Sequence, residues 1–162
     1  IHQCEQLNIP PTDDVRIQPY VKYLCDVGAT YINHFSESTG IQFKANKQIA
    51  LDELWSVHSF EGDYNPIHDH GTKTIMGIST TTWTKVPQQI LDQPTSGTPE
   101  YSLYNSSGDC DGCLAFNYGR NSLLDSDRLF PPQSAVVKPE IGVQYVFPSG
   151  LQHMVYPFFG EG

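Results

Sequence analysis

Basic residues are scarce in this 162-residue chain: 9 Lys and Arg stand against 18 Asp and Glu, a formal net charge of −9. Phosphate recognition depends on clustered Lys and Arg, so the balance argues against nucleic acid or an anionic membrane as a partner. The acidity itself is an ordinary route to solubility and names no partner. Also missing is any apolar run near the ~20 residues that cross a bilayer. The first residues carry no basic segment followed by an apolar one, as a secretory leader has. A soluble, cytoplasmic protein is the expectation. Charge of either sign is low at 17%, while hydrophobic residues reach 38% and aromatics 12%. That composition excludes a disordered chain and suits a single domain with one core over residues 1–162.

Cysteine is sparse too, at four residues, and only Cys110 and Cys113 lie close together, as Cys110-Asp111-Gly112-Cys113. A C-x-x-C pair can be a redox couple or half of a zinc site. With no second C-x-x-C and no βαβ pattern around it, a loop with two incidental thiols or a loop disulfide fits better. The sequon Asn105-Ser106-Ser107 lacks a secretory context and carries no weight. No internal repeat is visible.

What the chain does have is a change of period. Residues 1–16 are polar and Pro-rich and read as an extended lead-in. Pro19 suits a first helical turn, and Val21, Leu24, Cys25, Gly28, Ile32 and Phe35 then recur at helical spacing. One helix of roughly 18 residues follows, closed by the stop signals of Ser36 to Gly40. Beyond residue 40 the pattern is that of strands. Leu51–Phe60, Ile75–Val86, Cys113–Tyr118, Ser134–Lys138, Gln144–Phe147 and Gln152–Phe158 alternate or are rich in β-formers. Residues 91–112 and 120–132 read as polar loops. One helix (within residues 1–40) beside seven or eight short strands (residues 41–162) indicates a mainly β barrel or jelly roll with a helical flank.

Two histidines stand out in Asn65-Pro66-Ile67-His68-Asp69-His70-Gly71. Alternation on an extended strand puts His68 and His70 on one face and Asp69 on the other. A third, His153, lies in the otherwise apolar run Tyr145–Tyr156, where an unpartnered imidazole is costly to bury. It is either a core histidine bonded to backbone or a ligand. Three imidazoles would occupy one face of a metal and leave positions open for substrate or dioxygen.

The block Ile141-Gly142-Val143-Gln144-Tyr145-Val146-Phe147-Pro148-Ser149-Gly150-Leu151-Gln152-His153-Met154-Val155-Tyr156-Pro157-Phe158 resembles the P-x-x-G…FPS/A-x-L-x-H-x-V-x-P segment of 2-oxoglutarate/Fe(II)-dependent oxygenases. The small prolyl-4-hydroxylase-like group of marine bacteria and their phages is the most similar. Upstream, Leu54-Trp55-Ser56-Val57, then Gly62 to His70, then the strand ending Lys85-Val86-Pro87 fall in the order of that group's W-x-N…F-N-x-x-H-x-H…Y-x-x-x-P pattern. The resemblance spans about residues 51–158, with little similarity over 92–112. It implies a double-stranded β-helix (jelly-roll or cupin-like) and a hydroxylase that uses Fe(II), 2-oxoglutarate and O2 on a small-molecule or peptide substrate. Metal positions carry over to His68, His70 and His153. Around that site Tyr64, Asn65, Trp55 and Tyr145 are candidate wall residues for cosubstrate or substrate, with ordinary packing, and for Asn65 a turn, as the other reading. If the chain is phage-encoded, the host cytoplasm is its compartment.

Two departures matter. Most of these oxygenases place Asp or Glu at the second ligand position, where this chain has His70 with Asp69 beside it. His70 fits strand alternation, and a bulge could instead turn Asp69 inward. Three neutral imidazoles give the centre one more positive charge than a two-histidine, one-carboxylate set. The family also pairs the cosubstrate's distal carboxylate with Arg or Lys about ten residues past the distal histidine, a residue type suited to carboxylates. Here that falls at about residue 163, and residues 139–162 contain neither Arg nor Lys. Lys73 and Lys85 could reach the pocket from other strands, although nothing in their spacing indicates it. A three-histidine, cupin-like metalloenzyme without 2-oxoglutarate and a non-catalytic jelly-roll binding or virion module remain as alternatives.

Overall fold

The computed structural model describes residues 3–10, 14–43, 49–71, 77–92, 110–118 and 134–159. Gln6–His58 form one compact unit, and Ile1–Glu5 together with Ser59–Gly162 form the other. In the first unit, strands β1 (Glu5–Asn8) and β2 (Trp55–His58) pair in a two-stranded sheet. The polar lead-in therefore contains a strand, short and exposed along its length. Helix α1 (Gln18–Thr39) follows, with Pro19 in its first turn, where the missing N–H costs no helical bond. Leu24, Gly28 and Ile32, spaced four apart, are its buried stripe.

The helix has 22 residues, one turn more than its apolar pattern indicates. Ser38 and Thr39 bond their hydroxyls back to the Phe35 carbonyl, so these polar residues sit inside the last turn. Termination falls to Gly40, whose φ of 71° is left-handed and whose N–H donates to the Ser36 carbonyl.

The second unit is built of antiparallel strands in two sheets. Strands β3 (Asn65–His68), β5 (Leu114–Asn117), β6 (Ser134–Val137) and β8 (Gln152–Val155) form one, in the order β3-β8-β5-β6. Strands β4 (Ile78–Thr82) and β7 (Gln144–Pro148) form the other. The chain thus passes from the first sheet to the second and back twice, as a double-stranded β-helix requires. The molecule is mainly β with one long N-terminal helix, as its sequence pattern indicates.

The core lies between these sheets. Leu114 and Phe116 of β5 meet Phe147 of β7, with Trp83, Val137, Tyr145, Leu151 and Val155 around them. The Phe116 and Phe147 rings pack edge to face with centroids 4.9 Å apart. A second cluster joins Val86, Ile90 and Phe158. Ile90 belongs to a one-turn helix, α2 (Gln88–Leu91), which forms where a loop is expected. Its cause is local: Pro87 precedes it, and Ile90 is drawn into the core against Gly112. A Cβ on Gly112 would come within 2.5 Å of Ile90 Cδ1, and its φ of 67° favours glycine as well. The sequon, Lys73 and most of the two expected loops lie outside the described residues, as do residues 75–76 of the strand expected over Ile75–Val86.

Candidate metal centre

His68 and His153 are opposite one another in the β3–β8 ladder, so their side chains share a face. His70 follows β3 and is held by its backbone, with the N–H donating 2.9 Å to the Ser149 carbonyl. The three rings converge: centroids lie 4.3 Å apart for His68 and His153, 5.0 Å for His70 and His153, and 5.1 Å for His68 and His70. Each offers one nitrogen, and these atoms all lie within 4.8 Å of one another. Among the described residues this is the one such group of His, Cys, Asp or Glu side chains. His68 and His70 are half-buried and His153 is buried.

The ring orientations carry chemical meaning. Nδ1 of His68 lies 2.6 Å from the Pro66 carbonyl and Nδ1 of His153 lies 2.9 Å from the Leu151 carbonyl. A carbonyl can only accept, so both Nδ1 atoms carry the proton and donate. In the neutral ring this leaves the lone pair on Nε2, as in metal sites whose histidines are steadied by backbone carbonyls. For His153 the two readings of the sequence are therefore not alternatives. One nitrogen answers the backbone and the other remains available to an ion.

Burial holds the His153 imidazole below its ordinary value of 6.5, and His68 pushes the same way. The Leu151 carbonyl and the charge of Asp69 oppose the shift. The net direction keeps the ring neutral near pH 7, the state a metal ligand needs. Phe147 stands edge-on to His153 at 4.9 Å and Phe116 lies at 6.4 Å, so apolar rings flank the innermost imidazole.

Asp69 is exposed and stays outside the cluster, as alternation predicts. The register of β3 does shift, but upstream: Asn65 pairs with Val155 and His68 with His153, so three steps along β3 match two along β8. Plain alternation counted from His68 therefore does not carry through to Asn65.

Tyr145 lies on the inner side, two residues from Phe147 on β7, and its ring meets Trp83 edge to face at 5.5 Å. Tyr64 precedes β3 and is half-buried, with its carbonyl accepting from Cys4 N–H. Trp55 belongs to β2, in the other compact unit. Lys85 is exposed. Cys110 and Cys113 are not joined in a disulfide, and the Cys113 N–H donates to the Cys110 carbonyl in a turn that starts β5.

The contributions of Pro66, Ser149 and Leu151 are not visible as side-chain chemistry, because main-chain carbonyls make them. A hint exists in the spacing: in both His68 and His153 the ring bonds to the residue two positions earlier.

A family model described as "Putative 2OG-Fe(II) oxygenase" matches residues 53–162, more than half of the chain. No curated protein and no solved structure matches it.

Proposed function

The chain belongs to this 2OG-Fe(II) oxygenase family, whose cofactors are Fe(II) and 2-oxoglutarate, and from that premise we propose that it hydroxylates its substrate at a centre held by His68, His70 and His153. The observation that carries the proposal is the convergence of the three imidazoles, two of them with Nδ1 engaged by backbone and Nε2 left for an ion. A cluster of neutral nitrogen donors suits a divalent first-row metal. In this proposal the chain is one oxygenase domain, with residues 1–40 as lead-in and helix and 41–162 as the β core.

When bound, Fe(II) with 2-oxoglutarate supplies the O2-dependent oxidation of a substrate C–H bond. The protein's own residues have simpler tasks. His68 and His153 keep their Nδ1 protons on carbonyls, so neither ring is free to rotate away or to change tautomer. In this reading Asn65 and Tyr145 offer an amide and a phenol that can donate to a carboxylate. With Tyr64 at the start of β3, they are the residues we assign to the cosubstrate. Phe116 and Phe147 keep water from the buried side of His153. The substrate is a peptide side chain or a small molecule; the acidic surface disfavours a nucleic acid.

Anaerobic titration with Fe(II), then with 2-oxoglutarate, tests the proposal. One iron per chain, followed by a weak visible charge-transfer band on adding 2-oxoglutarate, is the expected result. Iron without the band would instead support a three-histidine enzyme that does not use 2-oxoglutarate. A chain that takes up no metal even after anaerobic loading would overturn both and leave a binding module.

A further inference from the structure

The metal centre has three ligand candidates, yet two of them depend on one short turn that contributes no ligand. The turn joining β7 to β8 runs Pro148-Ser149-Gly150-Leu151. It is closed by the Leu151 N–H donating 2.9 Å to the Pro148 carbonyl. From within it the Ser149 carbonyl accepts the His70 N–H at 2.9 Å, and the Leu151 carbonyl accepts from His153 Nδ1 at 2.9 Å. His68 is steadied separately, by the Pro66 carbonyl of its own strand.

The turn is itself anchored to the second sheet. Ser149 N–H donates 3.0 Å to the Gly77 carbonyl, and the Ser149 hydroxyl lies 2.9 Å from that of Ser79 on β4. Ser149 is 5% exposed, so on its side of these bonds little water competes. The Cα of Pro148 is paired with Ile78 of the same strand. One side of the turn is thus locked to β4, and the other side sets the backbone of one histidine and the ring of another.

We infer that the β7–β8 turn is the positioning element of the metal centre, with Pro148 and Ser149 fixing the separation of His70 from His153 while neither binds the ion. The inference rests on the ligand set proposed above. Spacing makes the case: Ser149 and Leu151 are two residues apart, so one rigid turn sets both carbonyls at once. Loosening the turn changes the relative placement of His70 and His153, which no adjustment at His68 can restore. Outer groups of this kind govern metal affinity through geometry, typically by about 10- to 100-fold. Ser149 acts on His70 through its main-chain carbonyl, and its hydroxyl reinforces the anchor to β4.

Co(II) titration of the metal-free protein gives a readout that activity does not, because the visible ligand-field bands report the geometry of the bound ion. Pro148→Gly frees the backbone where the turn begins. It is expected to fold and to bind Co(II) about 10- to 100-fold more weakly than the unaltered protein, with altered bands. Ser79→Ala removes the hydroxyl anchor from β4 but leaves every turn residue in place, and is expected to weaken binding by about 3- to 10-fold. It is the deciding variant should Pro148→Gly not fold. Both are measured well below the unfolding temperature of each metal-free variant, where a loss of stability alone leaves the affinity of the folded protein unchanged. Folded variants with the affinity and bands of the unaltered protein would overturn the inference. Failure of the unaltered protein to bind Co(II) or Fe(II) would strike the ligand set instead.

Discussion

His68 and His153 come from segments 85 residues apart in sequence, yet they are direct partners in the β3–β8 ladder with ring centroids 4.3 Å apart. Antiparallel pairing gives the pair a fixed separation and a common face, and His70 reaches the same point two residues later. The proposed ligand set therefore depends on strand register, which a hydrophobic face specifies strongly.

The first prediction separates His70 from Asp69. Asp69 is exposed and outside the cluster, so Asp69→Asn should keep one Fe(II) per chain. His70→Ala should lower affinity by more than the about 10- to 100-fold typical of an outer-sphere change, and His68→Ala and His153→Ala should match it. Iron content after anaerobic loading and desalting measures this. Loss of iron from Asp69→Asn with retention in His70→Ala would reverse the assignment.

How far the centre can be read from sequence follows from which interactions side chains make. Alternation puts His68 and His70 on one face and Asp69 on the other, but β3 ends at His68, and the His70 N–H bond to the Ser149 carbonyl holds the backbone beyond it. Asn65 escapes such reasoning, since the register shifts between residues 65 and 68 and alternation counted from His68 does not carry through it. The helix is legible from its apolar spacing, but its end is set by Gly40 rather than by the polar residues before it. Helix α2 escapes because its four residues lie below the length at which periodicity can be seen, and packing of Ile90 against Gly112 holds it.

A pH prediction follows from His153. Its folded-state value is held below 6.5, chiefly by burial, so the folded metal-free protein resists taking up the proton that the unfolded chain accepts. The stability associated with the neutral ring is present above the unfolded value and lost as pH falls through the folded one. Thermal unfolding of the metal-free protein should therefore be flat from neutral pH down to about 6.5 as far as this group is concerned, then decline. His153→Gln should show a shallower decline. Metal affinity should begin to fall only at lower pH, as the proton competes for the folded ring below its lowered value.

The aromatic pair beside His153 joins stability to the site. Phe147 is 5% exposed and packs edge to face on both Phe116 and His153. Phe147→Ala leaves a cavity and should destabilise the protein by about 3–5 kcal/mol. Phe147→Leu keeps most of the volume and should cost about 1–1.5 kcal/mol. Urea unfolding of the metal-free protein checks both. A cost for Phe147→Ala no larger than that for Phe147→Leu would show that the ring is not packed in the core as described.

Gly112 tests the second core cluster. Its φ of 67° strains any residue with a Cβ, and that Cβ would lie 2.5 Å from Ile90 Cδ1. Gly112→Ala should cost about 1–3 kcal/mol from backbone strain alone. Shortening the obstructing side chain separates strain from crowding. In Gly112→Ala combined with Ile90→Val, the clash with Cδ1 is gone but the strained backbone remains. The double variant should therefore be less destabilised than the sum of the two single changes, by about 0.5–1 kcal/mol as expected for residues in contact. Additive costs in urea unfolding would mean that Ile90 yields freely, leaving conformation alone to explain the glycine.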